Sequence, residues 1–153
     1  LVEKLSEEEI VAVLAHEMGH YKLRHIFKMI TASIIQTGIM FYLLSLVLNN
    51  KGLFDAFGME HISIYASLIF FGFLYSPINL LVSILFNAIS RKHEFEADSY
   101  AAKSSLLPGK LISALKVLSQ TNLSNLTPHK LHVFLHYSHP PVLARVEHLK
   151  KFL

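Results

Sequence analysis

The chain contains no cysteine and no tryptophan, and only 16% of its residues are charged. Without cysteine no thiolate can hold a metal ion, so any metal would fall to histidine, aspartate or glutamate. The same absence agrees with a protein facing the cytosol. A charged fraction well below the roughly one quarter of ordinary soluble domains, set against 52% hydrophobic residues, points to a membrane protein. The net charge of +3 is modest and sits beside apolar stretches, so membrane lipid headgroups fit as a partner and nucleic acid does not. Repeats and low-complexity tracts are absent as well.

What is present is led by LAHEMGH, in which His16, Glu17 and His20 form a His-Glu-x-x-His pattern. On a helix, positions i and i+4 lie about 40° apart and one turn along, so both imidazoles can hold one zinc ion. Glu17 stands at the edge of that face, able to act as general base without ligating. Zinc acidifies a water that it holds, which gives such a base its proton to take. Ser6 followed by Glu9 is a capping box that opens the helix SEEEIVAVLAHEMGHYKLRH. Ile10, Val11, Val13, Leu14 and Ala15 suggest that most of it is buried. Two incidental histidines on a core or surface helix remain the plain alternative.

A third ligand is needed. In SRKHEFEADSYAAK, Glu94 and Asp98 are spaced i and i+4 on one helical face. Glu94 can face the metal while Asp98 accepts a hydrogen bond from the distal nitrogen of a ligating histidine. Asn87 falls near the same stripe, and Arg91 is close enough to neutralise Glu94. The plain alternative is a solvated charged face, expected for Lys92 and Glu96. His25, about 180° around the first helix from His16, should not share the metal. His93 and His136 are spare candidates. His139, held extended by the following proline, can donate to a developing oxyanion.

The charge-free run 29–48 reaches, and the run 62–86 exceeds, the roughly 20 residues that an α-helix needs to cross a bilayer. Pro77 should kink the second. Gln36, Thr37, Ser76 and Asn79 should face helix neighbours or a wet cavity. Two buried helices of a soluble core are the alternative; neither run reads as a cleaved signal. Two crossings return the chain to one side, where His16, His20 and Glu94 can meet. Lys22, Arg24, Lys28, Arg91 and Lys92 lie on that side, whereas the opposite loop has no positive excess, so the positive-inside rule turns the site toward the cytosol or nucleoplasm. The segments are thus 1–28 (zinc-motif helix), 29–48 and 62–86 (transmembrane helices), 87–103 (third-ligand helix) and 104–153 (C-terminal helices), within one metallopeptidase region, 1–153. In the last segment, Pro140 and Pro141 open a helix with the apolar stripe Val142, Leu143, Val146 and Leu149. The fold class expected is all-α, an integral-membrane helical protein with a His-Glu-x-x-His core.

Taken in order, AHEMGHYKLRH, SRKHEFEADSYA and YSHPPVLAR resemble the integral-membrane zinc endopeptidases called type I CAAX prenyl proteases. The resemblance covers nearly the whole chain. It implies one Zn2+ on His16, His20 and Glu94, with Glu17 as general base and Asp98 behind the ligands. It further implies that His139 and Asn87 contact the substrate or its transition state, supported by Arg145. The implied activity is cleavage near the C-terminus of prenylated CAAX proteins, releasing the terminal tripeptide, in the endoplasmic reticulum or inner nuclear membrane. Members of that family carry further spans ahead of the first motif, so the chain reads as a C-terminal catalytic portion that partners with N-terminal transmembrane helices of its parent. Rival readings are a membrane quality-control metalloprotease of the same clan, a non-catalytic zinc-binding membrane scaffold, and a soluble helical partner-binding domain.

Overall fold

A computed structural model describes residues 4–153; the first three residues of the expected 1–28 segment lie outside it. The described residues form helices with no strand. The helices are α1 (Glu7–Lys22), α2 (His25–Val47), α3 (Lys51–Ala56), α4 (Ile64–Ser105), α5 (Pro108–Thr121), α6 (Lys130–His136) and α7 (Val142–Leu149), followed by a 3-10 turn, Lys150–Phe152. They divide into two compact units, one of Ser83–Leu153 with the chain up to Ile26, the other of Phe27–Val82.

In the first unit, α1 begins at the expected capping box. Glu9 N donates to Ser6 Oγ and Ser6 N donates to Glu9 Oε2, which satisfies two of the helix's otherwise orphaned amides. Glu7, Glu8 and Glu9 face the positive end of the helix dipole. The helix stops sooner than the periodicity of SEEEIVAVLAHEMGHYKLRH suggests. Leu23 N bonds back to Gly19 O, and Arg24 takes a φ of 56°, a left-handed conformation that ends the turn. The chain re-enters a helix at His25, so His25 does not continue the face of α1.

The core of this unit is Ala12, Ala101, Ala102, Leu111, Ile112, Leu115, Val146 and Leu149. It forms where α5 packs against both α1 and α7. Of the stripe expected on α7, Val146 and Leu149 are buried but Leu143 is exposed. Small residues bring α1 and α4 close together: a Cβ on Gly19 would stand 3.1 Å from Ala97 Cα and 3.2 Å from Tyr100 Cβ. Glycine inside a helix costs about 1 kcal/mol relative to alanine, and this contact is what the cost permits. Earlier along α4, Asn87 Nδ2 donates to Leu135 O, and Arg91 Nη1 donates to the carbonyls of Val133 and Tyr137. Arg91 therefore serves the C-terminal end of α6, where carbonyls lack helical partners, and does not neutralise Glu94.

In the second unit, α3 is capped by Asn50, whose Oδ1 accepts from Leu53 N at 3.1 Å. Phe54 is buried edge-on against Phe70, and Phe57 stacks on the same ring. Buried Ser67 donates to Leu48 O at 2.9 Å, tying the start of α4 to the end of α2. Both α2 and α4 are long and apolar enough to cross a membrane. Their apolar side chains, such as Ile30, Ile34, Phe73 and Leu81, point outward, as lipid-facing residues do. Thr37, Ser76 and Asn79 are exposed and Gln36 is half-buried. At 42 residues α4 runs unbroken through Pro77 and on past Glu94, so the second apolar run and the 87–103 segment are one helix.

Gly19→Ala should lower the stability of the protein by about 1–3 kcal/mol through overpacking against Ala97. Gly38→Ala, at a position with nothing within 4 Å, should leave it unchanged or slightly raised. Thermal unfolding in detergent compares the two, and a Gly19→Ala variant as stable as its parent would refute the close-packing account.

Candidate metal centre

His16 and His20 project from the last turns of α1, and Glu94 and Asp98 from one face of α4. Asp98 is fully buried, and its Oδ1 lies 2.9 Å from His16 Nδ1. An ionised carboxylate only accepts, so the His16 proton sits on Nδ1 and Nε2 presents a lone pair. That lone pair faces His20 Nε2 at 3.1 Å and Glu94 Oε2 at 3.6 Å, while His20 Nε2 lies 3.4 Å from Glu94 Oε1. Electron-rich atoms of three residues thus converge.

Tetrahedral zinc, with ligand bonds of roughly 2.0–2.2 Å, sets its ligands about 3.4 Å apart. Each histidine nitrogen lies near that distance from one or other Glu94 oxygen, and one ligand atom from each of the three residues lies within 4.8 Å of the others, so all three can be ligands to one ion. The donor set therefore fits a single metal.

Electrostatics favour the same arrangement. Burial, and next the neighbouring His16, push the His20 imidazolium below its ordinary pKa despite the nearby carboxylates of Glu94 and Glu17. His20 is thereby kept neutral, the form that ligates. Arg145, from α7, reaches the carboxylates of both Asp98 and Glu94: Nε and Nη2 donate to Asp98 at 2.8 and 2.6 Å, and Nη1 lies 3.0 Å from Glu94 Oε2. Burial alone would lower the Arg145 pKa, but its bonds to Asp98 and the charges of Asp98 and Glu94 outweigh that and hold it above the usual value. Among the described residues no buried side-chain polar atom lacks a hydrogen-bond partner.

The donors open onto a cavity of about 370 Å³. Glu17, His139 and Arg145 line it, with Leu111, Leu115 and Leu118 of α5 as its apolar wall. His139 is two-thirds exposed, its Nδ1 3.0 Å from Ser138 Oγ and its Nε2 3.4 Å from Glu94 Oε1. Leu115, Leu118, His139 and Arg145 also line a second cavity of about 430 Å³, bounded further by Tyr137 and Asn125.

The structure therefore brings together His16, Glu17, His20, Glu94, Asp98, His139 and Arg145. Asn87 is outside this group: its amide is spent on α6 and it does not line the cavity. Of two residues assigned elsewhere by spacing, His25 lies against a donor and Glu96 lies against His25. His25 is 2% exposed with Nδ1 3.1 Å from His20 Nδ1, and Glu96 lies 3.0 Å from His25 Nε2. Glu96 is thus no mere solvated charge. A buried histidine followed into the sequence from a helix break would have been the signal, but Leu23-Arg24 contains neither glycine nor proline to announce one.

Comparison with known proteins agrees with the resemblance. The model of "Peptidase family M48" matches residues 1–153. The "CAAX prenyl protease 1 homolog" of Homo sapiens is 39% identical over 145 residues, covering 94% of this chain and 30% of the human one. The "CAAX prenyl protease 1" of Saccharomyces cerevisiae is 32% identical over 161 residues, covering 95% of this chain and 35% of the yeast one. In fold, the crystal structure of S. mikatae Ste24p matches with a TM-score of 0.79 at 32% identity, over 94% of this chain and 36% of that one. The chain spans about a third of the length of these relatives. Matched end to end by the family's model, and sharing the fold and about a third of its residues with solved and curated relatives, the chain belongs to peptidase family M48.

Proposed function

We propose that this chain is the catalytic portion of a membrane zinc endopeptidase that cleaves prenylated CAAX proteins near the C-terminus and releases the terminal tripeptide. The observation that carries the reading is the convergence of His16, His20 and Glu94, with ligand atoms within 4.8 Å of one another, beside Glu17. Zinc suits two imidazoles and a carboxylate. Substrate class comes from relatives named CAAX prenyl protease 1. The membrane of the endoplasmic reticulum or inner nucleus, with the site toward cytosol or nucleoplasm, follows from the same likeness and from the basic residues flanking α2.

Each residue has a role in peptide hydrolysis. His16, His20 and Glu94 would hold the zinc ion, which when bound would supply Lewis-acid polarisation and acidify a water. Glu17 accepts a proton from the water that adds to the scissile carbonyl and returns it to the leaving amine. His139, exposed on the cavity wall, donates from its ring to the oxygen on which charge develops. Asp98 holds His16 in the ligating tautomer. Arg145 offsets the charge of Glu94 and Asp98. Asn87 contributes by anchoring α6, whose C-terminal end leads into Ser138 and His139. A charge-neutral substitution at Glu17 removes the base and leaves the donors whole, whereas loss of Glu94 removes a donor.

Glu17→Gln should cut turnover by a factor of about 10²–10⁴ while zinc content, measured by metal analysis, stays at one ion per chain; zinc loss in that variant would refute the assigned role. Glu94→Ala should bind zinc weakly, and full occupancy there would remove Glu94 from the ligand set. Finally, the full-length protein in detergent should cleave a farnesylated C-terminal peptide in preference to its unprenylated twin. Equal cleavage of both would redirect the reading to a general membrane quality-control protease.

A further inference from the structure

Buried His25 stands at the junction of α1 and α2 with both ring nitrogens occupied. Its Nδ1 is 3.1 Å from His20 Nδ1 and its Nε2 is 3.0 Å from Glu96 Oε2. Its ring also stacks on His93, centroids 4.0 Å apart and planes 8° from parallel.

By distance alone, His25, His93 and Glu96 could hold an ion of their own. The stacking speaks against it, because stacked rings confine their in-plane lone pairs to two offset, nearly parallel planes that do not meet at one ion. Proton placement speaks against it too. A metal on His25 Nε2 would put the His25 proton on Nδ1, facing His20 Nδ1. His20 would then have to accept there and carry its own proton on Nε2, the nitrogen aimed at His16 and Glu94.

The opposite arrangement satisfies every atom. If His20 Nε2 carries the lone pair toward a metal, its proton is on Nδ1 and is donated to His25 Nδ1. The His25 proton is then on Nε2 and is donated to the Glu96 carboxylate. We propose that His25 and Glu96 are positioning residues for His20, a histidine–carboxylate chain that fixes its tautomer and ring orientation as Asp98 does for His16. This rests on the reading of His16, His20 and Glu94 as metal donors. The two ligating histidines are thereby braced differently: His16 directly by a fully buried carboxylate, His20 through a second imidazole to a half-exposed one.

Partners that orient a ligating histidine commonly contribute a factor of 10–100 in metal affinity. The test uses full-length protein in detergent, stripped of metal, with zinc affinity measured by chelator competition and site geometry read from the visible spectrum of the cobalt(II) form. His25→Phe keeps a ring against His93 but has no nitrogen, and should bind zinc about 10- to 100-fold more weakly with an altered cobalt spectrum. His25→Gln, whose amide both accepts and donates, should recover most of that loss. Glu96→Ala, at a half-exposed position that does not threaten folding, should show a smaller loss. Because Glu96 acts only through His25, the double variant should bind no more weakly than His25→Phe alone. Parental affinity and spectrum in both single variants would overturn the proposal, and so would losses that add in the double variant. His20→Ala is the separate control: if it keeps parental zinc affinity, the donor set itself is wrong, whereas loss of zinc there beside unaffected His25 and Glu96 variants would sink only the positioning chain.

Discussion

Two carboxylates one helical turn apart, both almost fully withdrawn from solvent, cannot be accommodated without a counter-charge, and Arg145 is that charge. Glu94 and Asp98 share a face of α4, and with both ionised and no cation between them they would repel each other. A guanidinium presents donors in a planar fork and stays charged when buried. Removing one member of such a buried cluster typically costs on the order of 3–5 kcal/mol. The arginine is also the reason that α7 must dock: its helix packs on α5, α5 packs on α1, and α1 carries the histidines. Side-chain charge and helix packing are therefore satisfied by the same arrangement or by neither.

The second constraint is closeness. His16 and His20 meet Glu94 at 3.6 and 3.4 Å because α1 approaches α4 over glycine and alanine. A larger residue at 19 or 97 would move imidazoles and carboxylate apart by tenths of an ångström, comparable to the tolerance of a metal's ligand shell. The small residues of HEMGH and FEAD thus set the distance at which the large ones act.

Much of this was legible in the chain. The all-helical membrane fold followed from two long apolar runs and scarce charge, and the i, i+4 spacing anticipated that His16 pairs with His20 and Glu94 with Asp98 on common faces. These are properties of a single helix, which periodicity reports directly. What escaped were contacts between helices and one break within them. Arg24 adopts a left-handed conformation that no glycine or proline marks, so His25 was assigned to the wrong element and its contact with His20 went unseen. Asn87 and Arg91 fell on or near the expected stripe, yet their donors go to α6 carbonyls, which no pattern in SRKHEFEADSYA discloses. The spacing of Glu94 to Arg145 is long-range, and only the resemblance placed Arg145 near the centre at all.

The dependence on Arg145 has an effect in time. Arg145 follows Asp98 by 47 residues, so during synthesis the histidines, Glu94 and Asp98 have all left the ribosome before the residue that neutralises them exists. Until α7 arrives, the α4 carboxylates have every reason to stay hydrated and apart from α1. The charge balance of this centre is thus completed by an element made 47 residues after the carboxylate it neutralises.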